Sequence, residues 1–208
     1  MLLKIILCLF LGYIFGCFST GYFVGKLNKV DIRNYGSGNV GSTNALRTLG
    51  AKAGALTLLG DALKAVIPIL LVRLVIFPDY GQVEVLALYT GLGAVLGHNY
   101  PVWLKFKGGK GIAATGGAMA AFDPLIIPIG LPLFILIVAV TRYVSLGSLF
   151  VAVFFPIWIL IRNPGELHML FVSLLYMILA FIKHRSNIKR LFNGTENKIG
   201  QRVKIEHK

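Results

Sequence analysis

Two glycine-rich segments carry side chains suited to holding a phosphate. The first is Gly36-Ser37-Gly38-Asn39-Val40-Gly41-Ser42-Thr43-Asn44-Ala45-Leu46-Arg47 and the second is Phe106-Lys107-Gly108-Gly109-Lys110-Gly111. Glycine lets backbone N–H groups close on an anion, and Ser37, Asn39, Thr43 and Asn44 add neutral donors. A helix beginning near Ser42 or Thr43 adds its positive end. Arg47 adds a planar, permanently charged fork. In the second segment Lys107 and Lys110 stand among Gly108, Gly109 and Gly111 where an apolar helix begins, a second anion nest. A third segment, His184-Arg185-Ser186-Asn187, places His184 and Asn187 three residues apart, on one side of a helix that Asn193-Gly194 would end. His184, with an ordinary pKa of about 6.5, suits proton transfer. Arg142-Tyr143-Val144-Ser145 adds a cation and a hydroxyl.

Each segment also has a plainer reading. The first could be a flexible hinge, the second a basic and aromatic loop at a membrane interface, and the third a set of topology-determining charges. Gly36-x-Gly38-x-x-Gly41 matches the dinucleotide fingerprint in letters alone, because an apolar span precedes it and no βαβ unit follows. Gly109-Lys110 is followed by Gly111 rather than Ser or Thr, so the second segment is not a Walker A loop. No set of His, Cys, Asp or Glu has metal-ligand spacing, so no metal and no cofactor is expected. His98 alone does not read as catalytic. Asp61 and Lys64 have ion-pair spacing inside an apolar segment, and a structural pair is the favoured reading.

Such residues need elements to bring them together. The chain has 208 residues, of which 56% are hydrophobic and 14% charged. Its mean hydropathy is +0.77. A soluble domain carries about 25% charged residues. The pattern therefore predicts an all-α, polytopic integral membrane bundle forming a single domain over 1–208. Seven spans are expected, over about 2–27, 53–77, 83–97, 112–123, 125–141, 146–161 and 167–183. The third to fifth are short for a crossing, which takes about 20 residues. Asp123-Pro124 and Asn163-Pro164-Gly165 read as turns. Met1 to Leu27 lacks a basic leader and a small-residue cleavage site, so it reads as a retained span.

The net charge is +13. With the N-terminus outside, segments 26–52, 98–111, 141–145 and 183–208 share one face and hold 17 of the 21 Lys and Arg residues. The opposite face receives Lys4, Arg73 and Arg162. This bias predicts an odd number of spans with the basic face and C-terminus cytoplasmic, and it explains the charge without nucleic acid. The tail beyond Lys183 is long enough for a short amphipathic surface helix. Cys8 and Cys17 lie too far apart along one helix for a disulfide.

In order and over nearly the whole chain, these motifs resemble the bacterial acyl-phosphate:glycerol-3-phosphate acyltransferases, the PlsY family. The matching residues are Gly36 to Asn44 with Arg47, Gly97-His98 with Pro101, Phe106 to Gly111, Arg142 to Ser145, and His184-Arg185-x-Asn187-Ile188-x-Arg190-Leu191 with Gly194 and Glu196. The chain has Ser42, Ala65 and Ser186 where that family commonly has Ala, Gly and Glu. The resemblance implies acyl transfer from acyl phosphate to the 1-hydroxyl of glycerol 3-phosphate, giving lysophosphatidic acid and phosphate, at the cytoplasmic face of a bacterial inner membrane. It implies a lipid setting and a functional link to the enzyme that makes acyl phosphate. It assigns Asn39, Thr43, Asn44, Lys110 and the Gly108–Gly111 loop to acyl phosphate. Ser37, Arg47, Lys107, Ser145, His184 and Asn187 fall to glycerol 3-phosphate, with Glu196 orienting a cation or the glycerol hydroxyls. The proton acceptor is His184 or a substrate phosphate. A small transporter of an anionic metabolite is the leading alternative, although its site would lie nearer the membrane midplane. A membrane phosphatase would need a carboxylate cluster that the basic face lacks.

Overall fold

The computed structural model describes residues 1–201; Arg202, Lys204, Glu206 and Lys208 of the basic tail lie outside the described residues. Among the described residues the elements are helical throughout. They run α1 (Leu2–Cys17), α2 (Thr20–Leu27), α3 (Ser42–Leu49), α4 (Ala51–Leu71), α5 (Val83–Asn99), α6 (Ile112–Phe122), α7 (Ile127–Thr141), α8 (Val144–Arg162) and α9 (Leu167–Phe192). Five stretches are long and apolar enough to cross a membrane: Leu2–Leu27, Ala51–Ile76, Pro124–Thr141, Val144–Arg162 and Leu167–Phe192.

Of the three segments expected to be short, α5 and α6 are inner ones, whereas the stretch Pro124–Thr141 is long and apolar enough to cross and is largely exposed. Of the 17 residues of α5, 13 are buried. It packs against α1, α4, α6 and α9. Its neighbours, rather than lipid, cover its ends, which is where a short helix is tolerated at membrane depth. In the α1–α5 contact, glycines on each helix lie against the backbone of the other. A Cβ on Gly12 or Gly16 would meet the carbonyl oxygen of Thr90 or Ala94 at 1.9 and 2.1 Å, and one on Gly93 or Gly97 would meet that of Leu9 or Tyr13 at 2.2 Å. Small residues four apart on both helices let the backbones touch, the usual way helices associate in lipid.

The first span is broken, not continuous. Phe18, at φ −65° and ψ 112°, is extended and separates α1 from α2. A break frees carbonyls that lipid cannot satisfy. Here the Cys17 carbonyl accepts from Trp103 Nε1 at 2.7 Å and the Phe18 carbonyl from Lys64 Nζ at 2.8 Å. The last span also differs from expectation. Helix α9 runs unbroken to Phe192, and Asn193-Gly194 ends it. The described part of the tail, to Gln201, folds back as a strap: Ile199 N–H donates to the Arg142 carbonyl at 2.8 Å.

Candidate functional site

Residues from all four basic segments line one pocket enclosing roughly 90 Å³. The 36–47 loop is stitched by Asn44, only 2% exposed. Its Oδ1 accepts from Ser37 N–H at 2.9 Å, while its Nδ2 donates to the carbonyls of Ile32, Tyr35 and Asn39 at 2.9, 3.1 and 2.8 Å. Asn39 Oδ1 accepts from Gly41 N–H at 2.8 Å. These bonds set up the start of α3, where Ser42 and Thr43 line the pocket. Their N–H groups are among the first-turn donors that lack an intrahelical acceptor. One turn on, Arg47 donates to the Asn197 carbonyl at 3.3 Å, and its buried Nε has no protein partner. Burial lowers the Arg47 pKa; Glu196 acts against that shift and Arg190 adds to it.

The second glycine segment is used differently from an open nest. Gly108 and Gly109 donate their N–H groups to the Asn99 and His98 carbonyls at 3.2 and 3.0 Å. Neither amide is free for an anion. Gly111 has φ +84° and opens α6 in the left-handed region that favours glycine. Lys110 reaches into the pocket and donates to Asn187 Oδ1. Burial presses its pKa down to about 8; Glu196 pulls it up, and Arg190, Arg47 and Lys183 press it further down. Lys107 is exposed and does not line the pocket.

Helix α9 presents His184, Asn187 and Arg190 at successive turns. His184 Nδ1 lies 2.8 Å from the Ala180 carbonyl, so Nδ1 carries the proton and Nε2 keeps its lone pair. Glu196, on the strap, collects three donors: Ser145 Oγ at 3.1 Å, Asn187 Nδ2 at 2.7 Å and Arg190 Nε at 2.7 Å. Its charge is thereby matched to Arg190. Arg47 and Lys110 are left as cations with no carboxylate of their own in the pocket. Ile112, Ala113 and Val144 supply an apolar side to the same pocket. An adjoining chamber of roughly 690 Å³ shares Ser37, Asn39, Lys110 and Arg190, and adds Lys183 and Arg185.

Ser37, Asn39, Thr43, Asn44, Arg47, Lys110, Gly111, Ser145, His184, Asn187 and Glu196 all line the pocket, whereas Lys107, Gly108 and Gly109 do not. Arg190, Ser42, Asp61 and His98, named from the sequence but given no substrate contact there, also line it. Arg190 follows His184 and Asn187 at a spacing of three, a helical signal. His98 begins the 98–111 segment that shares the basic face, whereas Asp61 reads first as half of a structural pair with Lys64. Among the described residues no three His, Cys, Asp or Glu side chains are grouped to hold a metal.

The family model described as glycerol-3-phosphate acyltransferase matches residues 6–194. A glycerol-3-phosphate acyltransferase of Clostridioides difficile is 48% identical over 198 residues, covering 92% of this chain and 93% of its own. That of Trichlorobacter lovleyi is 45% identical over 187 residues, covering 90% and 93%. Two solved structures of PlsY, an integral membrane glycerol 3-phosphate acyltransferase, are similar throughout. The glycerol 3-phosphate form has a TM-score of 0.83 at 36% identity and covers 96% of this chain and 95% of that one. The lysophosphatidic acid form has a TM-score of 0.84 at 34% identity, covering 95% and 96%.

Proposed function

The chain belongs to the glycerol-3-phosphate acyltransferase family, and from that premise we propose that it moves a fatty acyl group from acyl phosphate to the 1-hydroxyl of glycerol 3-phosphate. The products are lysophosphatidic acid and inorganic phosphate. One observation carries this reading: Arg47 and Lys110 converge on a pocket whose described carboxylates, Glu196 and Asp61, are already matched to Arg190 and Lys64. Two phosphate-bearing substrates supply the missing negative charge.

Asn39, Thr43, the first turn of α3 and Lys110 hold the acyl phosphate, with Gly111 bringing the backbone close. Asn44, Gly108 and Gly109 shape the loops that present those groups. Ser37, Arg47, Ser145, His184 and Asn187 hold glycerol 3-phosphate, while Glu196 fixes Arg190 and Asn187. The 1-hydroxyl oxygen attacks the acyl carbon, and the bond from that carbon to the phosphate oxygen breaks. The donor is already activated, so positioning and electrostatics suffice and no covalent enzyme intermediate is needed. The hydroxyl proton passes to His184 Nε2 or to a phosphate oxygen. Near-normal turnover of His184→Ala at saturating substrate would assign it to phosphate.

The charge bias supports an N-terminus outside and a pocket open to the cytoplasm of a bacterial inner membrane. The soluble substrate then enters from the cytoplasm, and an enzyme producing acyl phosphate supplies the other. The test is purified protein with acyl phosphate and glycerol 3-phosphate. Lysophosphatidic acid and phosphate should appear together, and acyl-CoA should not replace the donor. Phosphate release without lysophosphatidic acid overturns the reading.

A further inference from the structure

Beneath the second glycine loop lies a polar trio assigned no substrate above. Lys64 Nζ stands 2.8 Å from Asp61 Oδ1, 2.8 Å from the Phe18 carbonyl and 2.7 Å from His98 Nδ1. The side chains of Lys64, Asp61 and His98 are 4%, 1% and 3% exposed. An ammonium has three N–H bonds and this one has three acceptors, which leaves the His98 proton on Nε2. That edge of the ring lies against Gly109, where an added Cβ would sit 1.9 Å from Nε2. A Cβ on Gly108 would sit 2.0 Å from the His98 carbonyl oxygen, so the loop is seated on both the ring and the backbone of His98. Asp61 Oδ2 is buried with no protein partner, and both Asp61 and His98 line the pocket.

Glycines at 108 and 109 bring no side chains to hold their own loop, so its height must be set from outside. Burying charge at this depth is costly, and such groups mark function more often than stability. We propose that Asp61, Lys64 and His98 are positioning residues: they fix the surface on which the Gly108–Gly111 loop sits, and through it the place of the Lys110 ammonium beside Asn187. The proposal rests on reading Lys110 as a phosphate-binding group. The charged and titratable groups facing Lys110 are Arg47 on α3, Lys183, His184 and Arg190 on α9, and Glu196 on the strap.

The test follows Lys110 directly, by the pH dependence of its amine labelling in purified full-length protein, read by mass spectrometry. In the unaltered protein the labelling midpoint should fall near 8. Asp61→Asn, His98→Ala and, from the loop side, Gly109→Ala should each move it upward by about one unit or more, as Lys110 leaves its buried seat. The same variants should lower kcat by roughly tenfold or more with KM for glycerol 3-phosphate held within about threefold. Added to Lys110→Gln, His98→Ala should cost no more than about a further twofold. An unmoved midpoint in Asp61→Asn and Gly109→Ala proteins of unchanged thermal stability overturns the proposal, as do fully additive losses. If the unaltered protein labels as expected yet transfers no acyl group, the functional reading fails while the midpoints still decide the positioning.

Discussion

Arg47 is the side chain on which the pocket most depends for charge. Among the described residues its buried Nε lacks a protein partner and it pairs with no carboxylate. A charge-assisted hydrogen bond contributes about 1.5–3 kcal/mol, so Arg47→Ala should lose roughly 10- to 150-fold in kcat/KM with the protein still inserted and folded. Steady-state kinetics beside a melting curve checks this. Lys110 gives a pH signature. A base with its pKa pressed down to about 8 is charged below that value and neutral above it. The free enzyme's kcat/KM should therefore fall above about pH 8, and Lys110→Arg should remove that fall, because guanidinium stays charged. The residue types at these positions were legible from sequence, because phosphate chemistry demands few kinds of group. Their division of labour was not. Asn44 looks like a phosphate donor by type, yet four loop hydrogen bonds occupy it. Gly108 and Gly109 look like an open nest, yet their amides face the end of α5.

At the scale of elements, helix type and placement followed from apolar runs and turn residues. Asp123 ends α6 and caps the next turn by accepting from Leu125 N–H at 3.1 Å, as the Asp-Pro step implied. Two features escaped the hydropathy pattern. The break at Phe18 did so because Ser19, Thr20 and Gly21 interrupt the apolar run too briefly to divide it. The α1–α5 contact did leave a mark, Gly12 and Gly16 opposite Gly93 and Gly97, whose repeat of four is the signal for close helix approach. Overpacking costs about 1–3 kcal/mol even where side chains can shift, and here the obstacle is backbone. Gly93→Val should therefore lower thermal stability and the yield of folded protein sharply. Gly81→Ala, where an added Cβ meets nothing within 4 Å, should leave both unchanged.

For the whole molecule, charge asymmetry predicted which segments share a face before any contact was known, and all four meet at the pocket. Orientation is testable with single cysteines in an otherwise cysteine-free chain. Lys105→Cys should be labelled only after the membrane is opened to its cytoplasmic side, and Asp79→Cys from outside in intact cells. The broken first span bears on how the molecule is made. Lys64 must enter the bilayer with α4, and an unpaired lysine within a span is costly, up to about 2.5–3.5 kcal/mol on insertion scales. Its acceptors arrive at different times. The Phe18 carbonyl and Asp61 precede it in synthesis, while His98 follows. The Phe18 carbonyl freed by the break is thus an acceptor for the buried ammonium that the ribosome makes before Lys64 itself, whereas the His98 contact waits for α5.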